Sequence, residues 1–146
     1  EFDAALVLTH TSSYPQDMQK HTNYGSLVDD ILNTLRDSVN TAIEKGIDNR
    51  SILIDPGFGF GKTSEQNLIL LKNLSRFCEL GMPVLIGTSN KSFIGKTLNA
   101  EINERTEGTA ATVAIGILNG ASIVRVHDIS YMKQVSKMVD AVLNAN

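Results

Sequence analysis

Four short apolar runs in this 146-residue chain are each followed at once by residues able to do chemistry. Residues 4–8 lead into Thr9-His10-Thr11-Ser12-Ser13-Tyr14-Pro15, and residues 51–54 into Asp55-Pro56-Gly57-Phe58-Gly59-Phe60-Gly61-Lys62-Thr63. Residues 83–86 lead into Gly87-Thr88-Ser89-Asn90-Lys91-Ser92, and the run 122–126 ends in Arg125-Val126-His127-Asp128. The other ends of the runs carry plain connectors such as Glu44-Lys45-Gly46-Ile47-Asp48. Together these positions offer one carboxylate, fixed or chargeable cations, aromatic surface and a helix start able to favour an anion. That set suits a flat polar heterocycle that carries or loses an anion. It does not suit a hydrolytic triad, and no G-x-S-x-G elbow occurs.

Each position has a competing reading. Asp55 either accepts hydrogen bonds from a heterocycle or caps the turn behind it. Lys91 and Ser92 stand where a helix begins; Ser89 and Ser92 are alternatively plain N-caps. Arg125 and His127 are two apart, so on a strand they face one side as anion ligands; an Arg125–Asp128 ion pair is the alternative, with Asp128 otherwise a helix-entry residue. Phe58 and Phe60 are also two apart and in an extended loop point the same way, either as ligand walls or as core. His10 reads as a locally satisfied hydrogen-bonding group, His21 as solvated, and Cys78 as an inert core thiol.

The Gly57–Thr63 stretch superficially suggests a P-loop. The required first glycine is Pro56, which removes an N–H where a phosphate cradle needs donors, so nucleotide triphosphate binding is set aside. Three scattered histidines and one cysteine give no metal-ligand spacing. With 13 basic and 16 acidic side chains the formal charge is −3, without runs, which argues against a nucleic-acid partner. No apolar run reaches the roughly 18 residues of a membrane span. The single cysteine fits a reducing, cytoplasmic setting. The chain opens Glu1-Phe2-Asp3 and enters an apolar run almost at once, as a cut end would.

The elements that must position these residues follow from periodicity. None of the four apolar runs alternates strictly, so they read as parallel strands buried on both faces. Leu27, Ile31, Leu35, Val39 and Ile43 predict one helix; Leu70, Leu71, Leu74, Phe77 and Cys78 a second, ending at Gly81 and Pro83. Residues 110–118 predict a third that stops at Gly120, and Met132, Val135, Val139 and Val142 a fourth. The result is an α/β chain of four βα units forming one domain over 1–146. It is either an open four-strand sheet or half of a (β/α)8 barrel, since eight units take about 250 residues.

At this point the motifs themselves are informative. The segments 55–62, 87–95 and 125–128, in that order, closely resemble the dihydropteroate synthase family. Leu8-Thr9-His10 with Pro15, Met18 and Gln19, and the helix start Gly108-Thr109-Ala110-Ala111, also fit. The resemblance covers essentially the whole chain and implies the C-terminal half of a TIM barrel. It implies condensation of 6-hydroxymethyl-7,8-dihydropterin diphosphate with p-aminobenzoate to dihydropteroate and pyrophosphate. It places Asp55 on the pterin's amino-pyrimidine edge, Lys91 on the pterin carbonyl with Gly87 close beneath, and Arg125 with His127 on the departing diphosphate. Phe60 and Lys91 would border the p-aminobenzoate pocket, with Ser92 meeting the carboxylate and Ser89 and Asn90 on the same substrate loop. Mg2+ would come with the diphosphate, held mainly by an N-terminal half-barrel; sulfonamides would be inhibitors.

Two departures concern the second substrate. Asn90 stands where the family usually has Arg, removing a planar cation, and Thr11-Ser12-Ser13 replaces a Met-Arg-Gly-like stretch. Two other functions compete: a non-catalytic pterin- or anion-binding half-barrel that associates with itself or another chain, and a pterin-binding methyltransferase using methyltetrahydrofolate.

Overall fold

The computed structural model describes residues 4–12, 16–17 and 22–146. Among these, β1 (Leu6–Thr9), β2 (Ile52–Asp55), β3 (Val84–Ile86) and β4 (Ala121–Val124) form one sheet in the order β1-β2-β3-β4. Every neighbouring pair is parallel, with Thr9 beside Asp55, Ile54 beside Val84 and Ile86 beside Val124. Parallel pairing requires a crossover that returns the chain to the same end, and helices provide it. They are α1 (Leu27–Glu44), α2 (Ser64–Lys72), α3 (Ser75–Cys78), α4 (Ser92–Leu98), α5 (Thr106–Leu118) and α6 (Ile129–Leu143). All four chemistry-bearing loops leave the same, C-terminal end of the sheet.

The expected four βα units are therefore present; β3 is buried along its length, whereas on β2 Leu53 is only half-buried. The edge strands are more open: Val7 on β1 and Ile123 on β4 are each 39% exposed. Val7 pairs with Leu53 and Ile123 with Leu85 on the sheet face turned away from the helix-packed core, so the both-faces-buried expectation holds fully only for β3. The core lies between the sheet and the helices, where Ile31, Leu35, Ile52, Ile54, Leu70, Phe77 and Ile86 pack together.

Helix starts follow their sequence signals. Thr63 and Gln66 form a reciprocal capping box at α2, and Asp128 accepts the Tyr131 N–H at the start of α6. On α1, four-residue steps drift by about 40° each against a 3.6-residue turn. Ile31, Leu35 and Val39 are buried, but Ile43 has rotated into solvent and Ala42 takes its place in the core. The helix expected through Leu70 and Cys78 breaks at Asn73, giving α2 and α3. Phe77 stays in the core, whereas Cys78 is exposed, so the inert-core reading of that thiol is corrected. The face that α5 buries is Thr109, Thr112, Val113 and Gly116, while Leu118 is 55% exposed. Small residues there let the helix approach the sheet closely. His21, Pro15, Met18 and Gln19 lie outside the described residues.

Candidate functional site

Asp55 ends β2 and is 1% exposed. One carboxylate oxygen, Oδ1, accepts the Gly57 N–H at 2.8 Å, which is the turn cap foreseen as an alternative. The other, Oδ2, lies 3.4 Å from Arg125 Nη2. Burial raises the carboxyl pKa; the Gly57 N–H and the positive charges of Arg125, Lys91 and Lys62 work against that rise. Arg125 follows β4 directly, and its N–H still donates to the Ile86 carbonyl at 2.8 Å. Its guanidinium lies over Gly87, where a Cβ would sit 2.9 Å from Nη2. A side chain at position 87 would therefore push Arg125 off Asp55.

The structure separates Arg125 from Asp128, whose carboxylate caps α6, so the proposed ion pair between them does not form and the helix-entry reading holds. His127 lies beside Ser89: Ser89 Oγ is 2.8 Å from His127 Nδ1 and accepts the His127 N–H at 3.3 Å. Ser89 is thus no N-cap, and neither is Ser92. Lys91 occupies the cap position of α4 without a side-chain cap bond, and Ser92 is the first helical residue, exposed and lining a surface cavity with Gly95, Lys96, Asn99 and Arg105.

Lys91 is half-buried, with Nζ 4.4 Å above the centroid of the Phe60 ring. Burial lowers its pKa, as does Arg125, while Asp55 opposes the shift. Phe60 therefore faces the mouth, but Phe58 does not: it is 1% exposed and packs against Phe93 at 6.4 Å between ring centroids. The same-side expectation fails because Gly57 and Gly59 take φ of +77° and +80°, which re-aims the chain between the two rings. Asn90 adopts φ 57°, a left-handed conformation that a short amide side chain tolerates. Its Oδ1 accepts from Thr109 Oγ1 at 3.4 Å, and its backbone N–H donates to the same oxygen at 3.1 Å. That turns Asn90 toward α5.

Asp55, Gly87, Ser89, Lys91, Arg125, His127 and Phe60 thus converge at one end of the sheet. Sequence reasoning left Lys62 without a role. It is 5% exposed and donates to the carbonyls of Gly57 at 2.9 Å and Phe60 at 3.0 Å, with His10 Nδ1 at 3.1 Å. The signal was a lysine closing a glycine turn behind a buried strand. His10 is satisfied as expected, but by Lys62 52 positions away and not by a local group.

Comparison with known proteins agrees with this arrangement. The family described as "Pterin binding enzyme" matches residues 1–127. The chain is 44% identical over 144 residues to the dihydropteroate synthase of Bacillus subtilis, covering 99% of this chain and 48% of the relative. Among solved structures, the Yersinia pestis dihydropteroate synthase with a sulfonamide drug complex superposes with a TM-score of 0.93 at 34% identity, over 97% of this chain and 51% of that one. The Thermus thermophilus dihydropteroate synthase in complex with 6HMPPP gives a TM-score of 0.91 at 31% identity, over 96% and 56%. The chain spans about half the length of these relatives, and its four βα units account for half of a (β/α)8 barrel. By fold, by the matched residues and by the placement of its polar loops, the chain belongs to the pterin binding enzyme family.

Proposed function

We propose that residues 1–146 are the C-terminal half-barrel of a dihydropteroate synthase. The observation that carries the reading is the convergence of Asp55, Lys91 and Arg125 on one mouth at the C-terminal strand ends. In the proposed reaction the C–O bond of the pterin methylene diphosphate breaks, with the electron pair leaving on pyrophosphate. The amine nitrogen of p-aminobenzoate then forms the C–N bond and releases its proton.

Asp55 would exchange its contact with Arg125 for the N–H edge of the pterin. Freed, Arg125 would meet the diphosphate beside His127. With Ser89 Oγ taking the His127 amide hydrogen and donating its own to Nδ1, the Nε2–H points outward as a further donor. Stabilising the negative charge that develops on the leaving group is the main service of such a site. The Phe60 ring beneath Lys91 would give the arylamine an apolar wall next to a cation, and Ser92 at the start of α4 would meet its carboxylate. Sulfonamides would compete there, a reading supported by the sulfonamide complex of the Yersinia pestis relative.

Among the described residues no group of three or more His, Cys, Asp or Glu could hold a metal ion. These residues do not fit a resident Mg2+, and no step here uses one; it belongs to the proposal only as the counter-ion of the diphosphate. No helix among the described residues is long and apolar enough to cross a membrane; we place the enzyme in the cytoplasm. The partner we propose is an N-terminal half-barrel that pairs along the edges of β1 and β4 and covers the sheet face on which Val7 and Ile123 are exposed.

The test is co-expression with the N-terminal half of the Bacillus subtilis relative, assayed for pyrophosphate release from the pterin diphosphate. Release that needs both halves and p-aminobenzoate, and that sulfonamide blocks, is the expected result. Binding of the pterin with no turnover would favour the non-catalytic half-barrel. Turnover of methyltetrahydrofolate, insensitive to sulfonamide, would favour the methyltransferase.

A further inference from the structure

The turn from Pro56 to Thr63 carries left-handed glycines at 57, 59 and 61, which gives it many alternative shapes in the unfolded chain. Something must select one. Among the described residues, the Phe60 N–H pairs with the Gly57 carbonyl at 3.1 Å, Asp55 Oδ1 accepts the Gly57 N–H at 2.8 Å, and the Tyr24 hydroxyl donates to the Gly61 carbonyl at 3.1 Å. From below, Asn67 of α2 accepts the Gly59 N–H at 2.8 Å and donates to the Thr63 carbonyl at 2.7 Å. The interior of the turn is filled by the Lys62 ammonium.

An ammonium has three hydrogens and no acceptor capacity. The Lys62 Nζ has three neighbours at bonding distance: the Gly57 carbonyl at 2.9 Å, the Phe60 carbonyl at 3.0 Å and His10 Nδ1 at 3.1 Å. Each hydrogen therefore finds one acceptor, and none of the three acceptors is a carboxylate. Such bonding requires Nδ1 of His10 to be a lone pair, which leaves the hydrogen on Nε2. Two of the three acceptors belong to the segment that ends in the Phe60 ring, and that ring supports Lys91. The Lys91 side chain also crosses Gly59, where a Cβ would meet Lys91 Cδ at 3.1 Å.

We propose that Lys62 is a positioning residue: its caged ammonium holds the glycine turn in the one shape that lays Phe60 under Lys91, and it fixes His10 as the Nε2–H tautomer. The importance of the Phe60–Lys91 platform rests on the function proposed above; the cage itself does not. Burial depresses the Lys62 pKa to about 8, partly offset by Asp55, and burial with Lys62 depresses that of His10 to about 4. A charged lysine and a neutral histidine therefore coexist at neutral pH.

The experiment is ligand-free NMR on this chain. Ring 15N shifts of His10 at neutral pH should report an unprotonated Nδ1, and the Lys91 ε-methylene protons should be shifted upfield by the Phe60 ring. In Lys62→Met that upfield shift should be lost, while the methyl shifts of Ile31, Leu70 and Val113 in the core stay in place. A protonated Nδ1 on neutral His10 overturns the proposal. So does a Lys91 upfield shift that persists in Lys62→Met with those methyls unmoved. If Lys62→Met does not fold, the His10 tautomer in the unmodified chain decides. Neither readout involves a pterin or an arylamine, so failure here and failure of the proposed reaction are separate results.

Discussion

Arg125 reaches across the sheet from the end of β4 to place Nη2 3.4 Å from Oδ2 of Asp55, a residue 70 positions earlier and two strands away. The guanidinium side of this pair is 59% exposed and the carboxylate only 1%. One partner can therefore swing to a ligand while the other stays rooted. A buried carboxylate facing an exposed cation is suited to trade that cation for a neutral N–H edge.

The first prediction concerns that trade. Asp55→Asn keeps the size but replaces an acceptor-only group with one that must present a donor. A hydrogen bond to a charged group contributes about 1.5–3 kcal/mol, so pterin affinity should fall by roughly 10- to 100-fold, since about 1.4 kcal/mol is tenfold. Calorimetric titration of this chain with 6-hydroxymethylpterin reads the change. Equal affinity in the two proteins would remove Asp55 from the pterin contact.

A second prediction follows from His10. Its folded pKa of about 4 lies below its ordinary 6.5, so between those values the unfolded chain binds more protons than the folded one. Stability then falls as the pH drops through that window, by about 3 kcal/mol at pH 4. The groups facing His10 are Lys62, which repels the imidazolium, and the Tyr24 ring at 6.1 Å. Urea unfolding at pH 7 and pH 4.5 should show the loss, and His10→Asn should flatten it. An unchanged slope in that variant would assign the acid sensitivity to other groups.

Gly57 supplies a third. At φ +77° a Cβ would run into the His10 carbonyl oxygen, which is backbone and cannot rotate away. Gly57→Ala should therefore destabilise by several kcal/mol, of the order seen for strain at special backbone positions plus overpacking. Thermal melting checks it. A variant that melts within a degree or two of the parent would mean that β1 and the turn are not in contact.

The fourth concerns anion handling. Ser89→Ala removes the hydroxyl between the His127 backbone and ring. Pyrophosphate affinity should weaken about three- to tenfold, matching the roughly 0.5–1.5 kcal/mol of one hydrogen bond. A 31P titration measures it. No change in affinity would leave His127 positioned by something other than Ser89.

Local rules made much of this protein legible in one dimension. Apolar runs without alternation marked the strands, 3.6-residue periodicity marked the helices, and loading of polar residues onto one set of loops identified the functional end of the sheet. These signals survive because each depends on neighbours within a turn or two of chain. Contacts between distant segments were decided only by tertiary structure. Exposure of Val7 and Ile123 depends on what covers the sheet face turned away from the helices, which no local pattern encodes. Phe58 and Phe60 part company through the left-handed backbone at Gly59 between them. Asp128 goes to a helix cap, and Arg125 reaches across β3 to Asp55 because Gly87 puts no side chain in its path. Lys62 acquires its role from His10, 52 positions away, once the pairing of β1 with β2 has brought the two loops together. A side chain's chemistry belongs to its residue type, but its burial and partners are set by segments that meet only on folding.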